Sequence, residues 1–232
     1  MTAARSILCA SLWTAASAFA ASAAAQAAPE PEPPARDDRT LGGAPFDPGE
    51  AVVYAAGGWD VTFPTVSLGA TAGVVPGLDL DVRYDTRAGL AHDFAARARW
   101  GFVDAWAASL AVSHGFFAVE ELAGIQASRA PFGNGLAITP ALHVSTGADE
   151  GPHVAFALGA TVRMTRLRES FGELSREIDP SLESAWLEAA VEWDDDGAST
   201  FLSFRATVPI QADLRVLGYF PWITIGRSWE LH

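Results

Sequence analysis

From residue 50 onward the chain alternates. Leu78, Leu80, Val82 and Tyr84 are interleaved with Asp79, Asp81, Arg83 and Asp85, so four apolar side chains project to one face and four charges to the other. The same period of two continues through Leu90, Phe94, Ala96, Ala98, Trp100 and Phe102, opposite Asp93, Ala95, Arg97, Arg99 and Gly101, with His92 as the exception on the apolar face. Trp106–Phe116, Leu136–Ser145, Val154–Thr165, Leu187–Asp194 and Leu202–Ile210 repeat it. With 51–59, 64–74 and 217–231 these segments predict about ten strands and an all-β, up-and-down antiparallel barrel; eight or twelve strands would fit the same pattern.

Several of the strands run to ten residues or so, beyond the usual five or six of soluble sheets and near the nine to eleven that cross a bilayer. The apolar faces are large and continuous, whereas the opposite faces are small, polar or charged. That asymmetry suits lipid outside and a wet interior. Parity does not say which face is which, but connection length does. Short links at 75–77, 103–105, 147–151 and 194–197 alternate with expected longer ones near 117–133, 166–182 and 211–216. Aromatics are expected at both rims: Trp100, Phe102, Trp106, Trp193, Phe201 and Trp229 toward the short turns, Trp59, Phe63, Phe116, Phe117, Trp186, Tyr219 and Phe220 toward the other end.

Residues 1–27 read as a secretory signal peptide: Arg5, an apolar run from Ile7, then small residues with A-x-A patterns at 23–25 and 25–27. Residues 28–50 begin with alternating Pro and Glu and read as a disordered periplasmic linker, which leaves 51–232 for the barrel. The formal net charge is −13, and all 15 basic residues are arginine, a balance that argues against a nucleic-acid partner. The one cysteine, Cys9, falls in the leader, so neither a disulfide framework nor a cysteine-ligated metal is available.

The final strand carries a motif. Thr224, Gly226, Trp229 and Leu231 resemble the terminal assembly signal of bacterial outer-membrane β-barrel proteins, of the small porin-like, OmpA- or OmpW-like class, with Leu231 in place of the more usual aromatic and His232 as an extra residue. The resemblance implies a location in the cell outer membrane, recognition by the barrel-assembly machinery, and contact with outer-membrane lipid and lipopolysaccharide.

The inward face would carry a charge network of Asp79, Asp81, Arg83, Asp93, Arg97, Arg99, Arg163, Glu188, Glu192 and Arg205. If the hairpin around residue 88 pairs Arg83 with Asp93, it also pairs Asp79 with Arg97. About ten strands enclose a narrow lumen, which such charges would fill by neutralising one another. The expected role is therefore structural or interactive at the cell surface, with a small porin as the alternative. A lipid-modifying enzyme and a secreted soluble ligand-binding barrel are the further alternatives. His143 and Ser145 share a face, superficially like the His-x-Ser pair of outer-membrane lipid A deacylases, but the pair is expected inward near the short-turn rim and the residues after Ser145 do not continue that family's motif. No catalytic residue, cofactor or metal site is assigned. Asp194-Asp195-Asp196-Gly197 lacks the spaced ligands of a calcium loop and reads as a charged turn.

Overall fold

In the computed structural model the described residues are 45–60, 63–89, 91–103, 105–117, 121–122, 125–126, 135–146, 152–170, 173–195, 197–210 and 222–231. The expected signal peptide and most of the expected linker lie outside them, as do Tyr219 and Phe220. The barrel strands are β1 (Ala51–Asp60), β2 (Phe63–Val75), β3 (Leu78–Arg87), β4 (Ala91–Val103), β5 (Trp106–Phe117), β8 (Gly135–Thr146), β9 (His153–Ser170), β10 (Glu173–Asp195), β11 (Ala198–Pro209) and β12 (Trp222–Glu230). Every neighbouring pair is antiparallel, and β12 pairs with β1 to close a ring of ten. Two two-residue strands, β6 (Glu121–Leu122) and β7 (Ile125–Gln126), pair with each other between β5 and β8.

The period-two pattern becomes the inside and outside of this ring. Leu142, Leu158 and Leu187 lie directly across from one another on β8, β9 and β10 and project outward, with Leu158 57% exposed. Ile225, Phe204, Val66 and Leu68 project outward in the same way. Charged residues on the alternate positions are buried: Asp79, Asp81, Arg99, Arg163 and Glu192 all belong to the interior. A soluble barrel would reverse this, since large exposed apolar faces in water favour association and the interior charges would gain nothing from enclosure.

Three expectations need correction. The hairpin between β3 and β4 is centred one residue farther along, which moves each partner by two positions: Arg87 pairs with Ala91, so Asp79 faces Arg99, Asp81 faces Arg97 and Arg83 faces Ala95. The reason is the turn, in which Ala88 and Gly89 both take positive φ (49° and 70°) and so place the reversal between Arg87 and Ala91. The expected long loop at 166–182 is instead strand: β9 continues to Ser170 and β10 starts at Glu173, with Glu173 paired to Ser170. These extensions run past the last partners of β9 on β8 (Ala137 with Arg163) and of β10 on β11 (Ser184 with Pro209), so among the described residues they form a two-stranded arm. Finally, residues 45–50, placed by sequence in the linker, lie against the barrel, and Phe46 is only 1% exposed.

The two aromatic rims are also sorted by the structure. Trp59, Trp100, Phe102, Trp106, Trp193 and Trp229 are exposed on the outside. Phe201 and Trp186 are not girdle residues: both are buried in the interior, each lying over the glycine paired directly opposite it.

Candidate lumen site

The lumen is built from side chains that alternate strands place at matching heights. At the short-turn end Asp79 of β3 meets Arg99 of β4. Both donors of the guanidinium edge, Nε at 2.9 Å and Nη2 at 2.5 Å, reach the same Asp79 Oδ2, and neither side chain has appreciable solvent contact. Charge-assisted bonds of this kind are what make enclosure of both ions tolerable. One step further in, Asp81 Oδ2 accepts from the Tyr54 hydroxyl (2.9 Å) and from Thr71 Oγ1 (3.0 Å), while Arg97 Nε stands 3.6 Å from Oδ1.

On the opposite wall Glu188 of β10 and Arg205 of β11 are register partners, joined by Nη2 at 2.6 Å and Nε at 3.1 Å. The Arg205 guanidinium also lies 4.4 Å from the Trp186 ring centroid, a cation–π contact that fixes its plane. Glu192 accepts a very short bond from the Ser199 hydroxyl, which in turn shares a 2.7 Å bond with Ser228 of β12. Arg163 is held by Glu183 through a fork, Nη2 to Oε1 at 3.0 Å and to Oε2 at 2.8 Å, with Nε at 3.1 Å. Arg83 pairs with Asp85 on its own strand at 2.8 Å rather than with Asp93, which instead faces Asp85 across the β3–β4 ladder.

The charges named from the sequence therefore all lie on the inward face, but they form separate pairs rather than the two cross-strand pairs expected. Several partners were not anticipated. Tyr54 and Thr71 belong to strands whose inner faces otherwise look bland. Glu183 lies just past the stretch expected as a loop, ahead of the strand expected from Leu187. Ser109 donates or accepts a 2.7 Å hydrogen bond with His143 Nε2 across β5 and β8, so the imidazole pairs with Ser109 and not with Ser145. At Nε2 the imidazole thus meets a hydroxyl and not a carboxylate. Nor does any group of three His, Cys, Asp or Glu gather as a metal site among them.

Enclosure varies along the axis. The side chains of Arg83, Arg97 and Arg205 are 34%, 20% and 27% exposed, whereas Asp79 and Arg99 are at 0% and 1%. The middle of the lumen thus leaves more open space around its side chains than the short-turn end. Of the residues of the terminal motif, Thr224 and Gly226 pair with inward Gly58 and Ala56, and Trp229 and Leu231 are exposed on the outside.

Neither a protein-family pattern nor a curated protein matches the chain. Among solved structures it is similar to the N-terminal β-barrel domain of Pseudomonas aeruginosa OprF, at 9% identity over 80% of this chain and 100% of that one, with a TM-score of 0.40. It is similar to the NanC porin at 10% identity over 78% of this chain and 100% of that one, TM-score 0.46. The KdgM porin gives 7% identity, 78% and 99% coverage, and a TM-score of 0.44.

Proposed function

We propose that the chain is an outer-membrane β-barrel whose narrow lumen is closed by its own ion pairs, with a structural or surface-interaction role. The observation that carries this reading is the fully enclosed Asp79–Arg99 pair at the short-turn end of a ring whose outside is a continuous apolar belt. A spanning strand satisfies its backbone in the ladder and offers apolar side chains to lipid, and a closed ring leaves no edge. The terminal motif and the leader supply the export route that such a barrel requires. The arm formed by the ends of β9 and β10 stands on the side opposite the short turns, which is the cell-surface side, where an interaction role would place its contacts.

A small channel is the second reading, and one observation favours it: the partial exposure of Arg83, Arg97 and Arg205 leaves open space in the middle of the lumen. Fractionation followed by electrophoresis of boiled and unboiled samples tests the location and the closed ring. Planar-bilayer recording then separates the two readings. A silent barrel with a heat-dependent mobility shift supports the closed form, and steady unitary currents would replace it with the channel.

A further inference from the structure

We propose that residues 45–50 are a removable seal, seated in a receptor site formed by Gly73, Asp79 and Arg99 at the short-turn mouth of the lumen. This rests on the closed-lumen reading and adds to its ion pairs a chain segment that covers them at the short-turn mouth. Phe46 precedes the first strand yet is 1% exposed, with the Arg99 guanidinium carbon 5.9 Å from its ring centroid. Its backbone N–H donates to Asp79 Oδ2 at 3.3 Å, the same oxygen that holds Arg99. The segment is then tied to β2 by main chain: Gly49 N–H donates to the Gly73 carbonyl at 3.3 Å, and Gly73 N–H donates to the Glu50 carbonyl at 2.9 Å. Within the segment Asp47 N–H donates to Glu50 Oε2 at 2.6 Å, and Gly49 turns the chain with φ of +94°.

Gly73 makes the site possible. It lies on the inward side of β2, opposite Asp79, where any other residue would aim its side chain into the lumen. A Cβ built there falls 1.9 Å from the Asp47 carbonyl oxygen and 2.6 Å from that of Phe46, so the space of the missing side chain is the space through which the segment passes. A residue with a Cβ at this position and a docked segment exclude one another. The seal is also lightly held compared with the barrel wall. The segment is six residues long and meets the wall only at the short-turn mouth, whereas β2, on which it rests, is bonded along its length to β1 and β3. Elements with few contacts open at lower free energy than the structure that carries them. Opening would join the open space around Arg83, Arg97 and Arg205 to the short-turn mouth, leaving Asp79 and Arg99 as the lining charges.

The experiment compares the full chain, purified from outer membranes, with Phe46→Ala, Gly73→Ala and the control Gly57→Ala, whose added Cβ meets nothing within 4 Å. Each is checked for a heat-dependent mobility shift and then recorded in planar bilayers in potassium chloride. The native barrel and Gly57→Ala should be silent or open rarely, and Phe46→Ala and Gly73→Ala should raise mean current by roughly tenfold or more, as expected when docking contacts no longer bias a two-state equilibrium. If both variants keep the shift and stay silent, the seal is refuted while the closed lumen stands on its ion pairs alone. If the native barrel conducts as well as the variants, both readings fall. Should Gly73→Ala lose the shift, Phe46→Ala decides the matter.

Discussion

At the residue scale the lumen is organised by glycines that receive rings. Tyr54 pairs with Gly69, Phe201 with Gly226 and Trp186 with Gly159, and at each glycine a Cβ would fall 2.3 Å from the ring opposite. A ring laid over a glycine covers backbone that would otherwise be open and lets a narrow barrel hold an aromatic without widening. Gly226 is thus more than a letter of the terminal motif. A methyl there must displace both the Phe201 ring and Ala56 Cβ, which stands at 2.8 Å. Gly226→Ala should lower stability by about 1–3 kcal/mol, the usual cost of overpacking, measured by urea unfolding of the barrel in detergent or lipid. Adding Phe201→Ala should shrink that penalty, because the added methyl then occupies vacated space. An unchanged penalty in the double variant would show that the ring is not what Gly226 accommodates.

At the element scale β10 explains both what the sequence discloses and what it conceals. From Ser184 to Asp194 its even-numbered residues face inward, as period two predicts, and Glu188 and Glu192 fall where expected. Register shifts between Ile178 and Ser181 and between Leu182 and Ser184 break that parity, which brings Glu183 inward beside Arg163 against the count. A bulge adds a residue to one strand without changing its composition, so alternation shows the facing only between bulges. Strand facing was legible because each face is chemically uniform over many residues, whereas the β3–β4 register depended on how Ala88 and Gly89 turn, and a slip of two preserves every facing. The rings of Phe201 and Trp186 were misplaced because an aromatic near a strand end suits either a lipid rim or a glycine notch, and the notch belongs to a different strand. The seal left no periodic signal at all, being six residues long and without alternation. Glu183→Gln should cost on the order of 3 kcal/mol in the same unfolding experiment, since it leaves the buried Arg163 without its carboxylate. Arg163→Met combined with Glu183→Leu should cost much less. If the single and double variants are equally harmed, the fork contributes shape rather than charge compensation.

For the whole molecule, the question is which solvent the outside meets. The row Leu142, Leu158 and Leu187 crosses three adjacent strands with each member between 48% and 57% exposed, a surface that water would penalise and acyl chains would not. The inner wall of the same strands carries polar residues, Thr161 of β9 among them, with its hydroxyl at 3.5 Å from that of Thr139. Leu158→Arg therefore places a cation in hydrocarbon near the middle of a spanning strand, at a cost of about 2–4 kcal/mol at the midplane. Thr161→Asn exchanges one polar lumen group for another. The first variant should give less heat-shifted barrel in isolated outer membranes and a lower urea midpoint, and the second should stay close to the native protein in both. In a water-soluble barrel the ranking would invert, because an outward arginine is readily solvated while a larger amide in the interior must be packed. The order of these two variants thus reports the surroundings of the wall directly, whether or not the lumen conducts.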